Sequence, residues 1–223
     1  MSTASAAIFP VTEHPVIPES PASGLCMSVS PSGIVPVCAF KDLPERQMTI
    51  SVRAFDPVSD TPILFKWMSQ EYAGPLMERA FAPQALEESY TCMIESDFAQ
   101  PFMGMVNNVP VCQVDVYKTR MDVISLYYDA RPGDYGLHLV IAPLAIQDNI
   151  AILVRTCIEY FFSFPEVGRI VADIEIRNEW NHEMFKKAGF RAYKKIRTSY
   201  KSSNLMICTR NSLRRAGLLL MTP

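Results

Sequence analysis

The stretch IAILVRTCIEYFF, residues 150–162, is apolar nearly all round, and Arg155 and Glu159 are its only charged members. A helix of that composition has no face suited to water and has to pack on a sheet. It stands between two strand-like runs, LHLVIA (137–142) and GRIVADIEI (168–176). Flanked by so apolar a helix, the second run is expected to be a central strand.

The rest of the chain fits around this unit. MTISVRAF (48–55) alternates as a strand, and Asp56-Pro57 and Asp60-Thr61-Pro62 offer a cap and first-turn proline for a helix over ILFKWMSQEYA (63–73). A second helix fits residues 85–98. Strands 101–106 and 109–117 flank the Asn107-Asn108 turn. WNHEMFKKAG (180–189) reads as a helix closed by its glycine, and late strands fall near RAYKKIRTSY and NLMICTR. The order predicts an α/β (α+β) domain with a mixed, mainly antiparallel sheet. Seven of the 17 prolines lie in residues 1–47, which are read as a partly ordered extension with GIVPVCAF as a candidate hairpin. The domain is assigned to 48–209 and a C-terminal tail to 210–223.

A formal net charge of -2 gives no basic field for nucleic acid or an anionic membrane. No apolar stretch reaches the ~20 residues of a membrane span, so a cytoplasmic protein is expected. The six cysteines show no metal-ligand spacing with the three histidines, so reduced thiols and no metal are expected.

His138 sits in the middle of the apolar run LHLVIA, where an ionisable ring is out of place. In the strand RIVADIEI, alternation puts Val171, Asp173 and Glu175 on one face, and carboxylates on a central strand are costly unless paired. A histidine and Glu175 on neighbouring strands suggest an acid/base pair, since imidazole titrates near neutral pH. Gln113, Asp115 and Tyr117 share a face of their own strand, either solvent-facing or lining a pocket for an amine or amide. Asn178 can cap the helix that carries Phe185, and His182 is expected to be exposed on that helix.

Three linked segments carry a resemblance. PVCQVDVY (110–117), YYDARPGDYGLHLVIAP (127–143) and DIEIRN (173–178), the last running on to Gly189-Phe190, resemble motifs of the GNAT acyltransferase superfamily in its siderophore-biosynthesis branch. That branch includes hydroxylysine acetyltransferases and mycobactin-pathway lysine acyltransferases. The resemblance covers about residues 48–209. It implies a twisted sheet splayed in the middle, flanked by helices, with acyl-CoA (acetyl- or succinyl-CoA) as co-substrate and no metal. It implies His138 as general base and Glu175 as second base or orienter of the acceptor. Gln113, Asp115, Tyr117 and Trp67 would line the acceptor pocket. Backbone of Val140, Ile141 and Ala142 would hold pantetheine, the turn with Gln147, Asn149, Ile150 and Ala151 the pyrophosphate, and Asn178 and Phe185 would complete the CoA site. The implied activity is hydroxamate formation on an N-hydroxylated amine, with a siderophore synthetase as a possible partner. The alternatives are acylation of an unmodified amine and a weakened GNAT-like binding module. The chain departs from the pattern at three places. Gln147-Asp148-Asn149-Ile150 replaces an Arg/Gly-rich loop, Pro75-Leu76 replaces a Phe-Trp pair, and Phe185 stands where many relatives have tyrosine.

Overall fold

The computed structural model describes Val35, residues 37–69, 83–143, Ala145, 147–198 and 201–220. Eight strands, β1 (Val37–Leu43), β2 (Met48–Ala54), β3 (Ala99–Val106), β4 (Val109–Lys118), β5 (Asp134–Ile141), β6 (Arg169–Glu175), β7 (Arg191–Arg197) and β8 (Ser202–Thr209), form one sheet. Their order is β1-β2-β3-β4-β5-β6-β8-β7. Every neighbouring pair is antiparallel except β5–β6. This is the mixed, mainly antiparallel sheet expected.

Among the described residues, five α-helices cover it: α1 (Pro57–Met68), α2 (Pro83–Glu95), α3 (Gln147–Phe161), α4 (Glu179–Lys187) and α5 (Arg210–Leu220). The apolar helix α3 buries Ile150, Leu153, Val154, Cys157, Ile158 and Phe161 against one face of the sheet, joined there by Met184 and Phe185 of α4. On the other face, α1 and α2 bring Leu64, Trp67, Met68, Leu86 and Tyr90 down on Met103 and Val140. No helix among the described residues is long and apolar enough to cross a membrane.

Three boundaries differ from the sequence reading. Part of the segment assigned to the extension is the edge strand β1, turned back onto β2 at Leu43↔Met48. Helix α1 begins six residues ahead of the predicted start: the Asp56 carboxylate accepts from Val58 N–H at 3.1 Å and Pro57 takes the first position, leaving Pro62 inside the helix. Part of the assigned tail is α5, whose Arg210 donates from Nη2 to the carbonyls of Phe164 (3.0 Å) and Val167 (3.1 Å). Residues 1–34 and Pro75-Leu76 lie outside the described residues.

The parallel junction positions the site. β5 and β6 pair at Asp134↔Arg169, Tyr135↔Ile170 and Gly136↔Val171, and then each continues without pairing to the other. The junction is fastened at its root. The buried Asp134 carboxylate takes two hydrogen bonds from Arg169, Nε at 2.7 Å and Nη2 at 2.6 Å, one from Tyr128 Oη at 3.0 Å and one from Arg131 N–H at 2.9 Å. Gly133 turns the chain into β5 at φ +85°, and its carbonyl accepts from the N–H groups of Gly168 (2.8 Å) and Arg169 (3.1 Å).

Candidate active site

Strand register brings the polar stripes together. Asp115 lies directly across from His138, Gln113 from Val140 and Tyr117 from Gly136, so all six share the sheet face covered by α1 and α2. A Cβ on residue 136 would fall 2.1 Å from Tyr117 Cζ. Only glycine leaves room there, and the Tyr117 ring fills it. Its hydroxyl then reaches 3.1 Å from His138 Nε2, with the two ring centroids 4.7 Å apart. The Gly136↔Val171 pairing carries the same face onto β6, where Asp173 and Glu175 continue it.

Burial dominates the electrostatics. It holds His138 down at about 4 from an ordinary 6.5, with Asp173 pulling it upward and Lys201 downward. Lys201 Nζ sits 2.5 Å from Asp173 Oδ2 in a largely enclosed pair. Asp122 lies within electrostatic reach of both, and burial lifts its carboxyl as well. Asp115 is 4% exposed, and burial pushes it up to about 7, opposed by a hydrogen bond from Gln113 Nε2 to its Oδ1. Gln113 is fully buried, and its Oε1 has no hydrogen-bond partner among the described residues.

These two shifts act on stability with opposite signs. Asp115's folded value lies above its ordinary 3.8, so its contribution is complete below that pH and is lost as pH rises through about 7. His138's folded value lies below 6.5, so its contribution is complete above that pH and is lost as pH falls through about 4. Across the shared window the two offset one another. Asp115→Asn is expected to unmask the histidine, so that the melting temperature climbs with pH between about 4 and 7. His138→Gln is expected to unmask the acid and reverse that slope. Thermal melts of both variants and the parent across this range measure the two slopes, and parallel curves for all three proteins would refute the assignment.

The other expected site residues are more dispersed. Glu175 ends β6 half-buried, and its backbone carbonyl lies 3.1 Å from His182 Nε2 and accepts from Asn178 N–H at 3.0 Å. His182 is therefore half-buried, tying α4 to the strand end, rather than exposed. Trp67 is buried in the α1 cluster with Val140. Asn178 caps α4 by accepting from Asn181 N–H at 3.0 Å. Phe185 is 2% exposed, packed edge-on against Phe190. Ile150 and Ala151 point into the core under α3, so what the Gln147–Ala151 turn offers a ligand is the set of backbone N–H groups that begin a helix. Asp148 in that turn is not a bare negative charge. Lys187 donates to it at 2.6 Å and holds its carboxyl below the usual range, with Arg46 adding to the attraction.

Three residues are given no role from the sequence. Asp173, not Glu175, is the carboxylate whose charge acts on His138, and Lys201 is its partner. The third is Leu139. Ala142 N–H bonds Val111 C=O at 2.9 Å, so ladder alternation turns the peptide edges of Val140 and His138 toward β4 and that of Leu139 toward β6. Pairing with β6 stops at Gly136, so Leu139 faces the gap. Among the described residues, no group of three or more His, Cys, Asp or Glu side chains could hold a metal ion.

A splayed β5–β6 junction with a histidine and carboxylates along its edges defines a class. Residues 56–198 match the family model described as an acetyltransferase (GNAT) domain. The chain belongs to that family. It is similar to the lysine N-acyltransferase MbtK of Mycobacterium sp. (strain MCS), 26% identical over 150 residues, which are 66% of this chain and 62% of that one. It is also similar to the N(6)-hydroxylysine O-acetyltransferase of Escherichia coli, 23% identical over 171 residues, 75% of this chain and 54% of the other. The matches thus span less than two thirds of these relatives' length. A crystal structure of the aminoglycoside acetyltransferase AAC(6')-Ib in complex with coenzyme A shares the fold, with a TM-score of 0.65 at 20% identity over 74% of this chain and 98% of that one.

Proposed function

We propose that this protein transfers an acyl group from acyl-CoA to the nitrogen of an N-hydroxylated amine, forming a hydroxamate for a siderophore. The carrying observation is His138, seated beside the β5–β6 gap with Tyr117 Oη 3.1 Å from its Nε2 and the charge of Asp173 acting on it. Acyl-CoA supplies the acyl group as a thioester, so that one N–C bond forms, one C–S bond breaks, and the nitrogen's proton ends on the released thiol.

The chain's own residues divide the remaining work. The gap edge at Leu139, with Ile141 next on it, and the first-turn N–H groups of α3 suit a pantetheine arm and a pyrophosphate. Lys187 engages Asp148 and so lessens the repulsion that the glycine-poor turn would otherwise exert on phosphate. His138 is neutral near pH 7 and holds one unprotonated nitrogen, ready to take a proton. A base this weak suits a nucleophile that is itself weakly basic, as a hydroxylamine is. An alkylamine, ~10 in its ordinary state, would first have to lose a proton to water. Tyr117 and Asp173 position the imidazole, and Glu175 at the strand end orients the acceptor. Gln113, Asp115 and Trp67 line the acceptor side, while Asn178 and Phe185 shape the far wall of the gap. A siderophore synthetase is the downstream partner that this chemistry implies.

The second reading, a GNAT-like module that binds without turnover, draws on the loss of both glycines from the turn at 147–150. One assay separates the two. The protein is incubated with acetyl- or succinyl-CoA and N-hydroxylated lysine, ornithine, putrescine or cadaverine, and free thiol is followed. Thiol release above background with at least one hydroxylated acceptor is expected. Silence with every pair would leave the binding module.

A further inference from the structure

Resting on the acyltransferase reading, we infer that Asp115, oriented by Gln113, accepts a hydrogen bond from the hydroxyl of the acceptor's N–OH group and so selects hydroxylamines over plain amines. Asp115 and His138 are direct cross-strand neighbours, which puts their Cβ atoms roughly 5 Å apart on one face. Two acceptors at that spacing match a ligand whose donors sit on adjacent atoms. A hydroxylamine has such a pair, its N–H for the histidine and its O–H for the carboxylate.

The surroundings make this a built site rather than a chance charge. Asp115 and Gln113 lie under a wall of Leu64, Trp67, Leu86, Tyr90, Met103 and Val140, where an unpaired polar atom is costly. Yet Gln113 Oε1 has no partner among the described residues. Gln113 spends its amide N–H on Oδ1, which holds the carboxylate beside the amide's own unpartnered Oε1. Such a pair calls for a donor-rich ligand group. Burial also leaves Asp115 poised near neutrality, so a donor that favours the carboxylate form binds productively.

The same carboxylate treats the two acceptor classes differently. A plain amine arrives as an ammonium, and a neighbouring carboxylate stabilises that protonated, non-nucleophilic form. A hydroxylamine arrives uncharged and uses Asp115 without losing its lone pair. A site built to bond a substrate hydroxyl discriminates strongly against the analogue that lacks it.

The test compares kcat/KM for N-hydroxycadaverine and cadaverine, with acetyl-CoA, in the parent protein, Asp115→Asn and Gln113→Leu. The parent is expected to prefer the hydroxylamine. Asp115→Asn should lower kcat/KM for the hydroxylamine roughly 10- to 100-fold, the worth of one charge-assisted hydrogen bond. The loss on cadaverine should be much smaller, so the preference collapses. Gln113→Leu should shift the preference in the same direction by less. A thermal melt of each variant shows that it is folded. A parent that prefers cadaverine would overturn the inference together with the hydroxamate product, leaving acyl transfer to an unmodified amine. Equal losses on both acceptors would overturn the inference while leaving the acyltransferase reading in place. No thiol release from any acceptor would bring down that reading and the inference with it.

Discussion

His138→Gln is expected to lower kcat/KM for the hydroxylated acceptor by roughly 10²- to 10⁴-fold, the usual span for a positioned general base. Glutamine keeps most of the volume and a hydrogen bond to Tyr117 but cannot take up a proton. Affinity for acetyl-CoA should change little, because the proposed pantetheine edge is the main chain at Leu139, which faces the gap beside β6, rather than the imidazole. The signature is therefore a fall in kcat with the CoA dissociation constant preserved, read by steady-state kinetics and calorimetry. Turnover within threefold of the parent would remove the histidine from the mechanism.

The second large effect is structural. Asp134→Ala removes an acceptor that four donor groups share and strands Arg169, whose side chain is 15% exposed and lies 5.9 Å over the Tyr128 ring. Breaking one side of a buried pair costs about 3–5 kcal/mol. For a chain of this size that is a drop of roughly 6–20 °C in Tm. The double variant Asp134→Ala/Arg169→Met should recover part of the loss, since no cation is then left without its partner. If the double variant melts no higher than the single, stranding of Arg169 is not the cause. Activity should fall with the single variant as well, because the three residue pairs that join β5 to β6 begin at this carboxylate.

Much of the fold could be read from the residues alone. The all-round apolar helix at 150–162, the Asn107-Asn108 turn and the alternation in VPVCQVDVY and LHLVIA are local patterns, and each became the element they indicate. His138 stood out because a polar ring in an apolar run is a local anomaly. The carboxylate whose charge acts on it could not be read the same way. Asp173 and Glu175 lie on one strand face, and only the register of the β5–β6 pairing places the former beside the histidine. Lys201 enters from the start of β8, and Asp134 is matched by Arg169 35 positions on; neither pairing leaves a periodic trace. Edge strand β1 was obscured for another reason. Its residues alternate only between half-buried and exposed, so VCAFKDL carries little contrast between faces. The orienting Gly136 was likewise silent, since its role lies in the aromatic ring that occupies the missing side chain's place.

The short parallel junction has a mechanical meaning. Strands β1 to β5 make one plate and β6 to β8 another, riveted along the sheet by three residue pairs and the Asp134–Arg169 clasp. Asp115, Tyr117 and His138 ride on the first plate, Asp173 and Lys201 on the second. The dihedral angle between the plates thus sets how strongly the carboxylate is felt at the imidazole. A wedge driven between them, whether a bound ligand or a bulkier residue near the rivet, would retune the base from a distance without touching it.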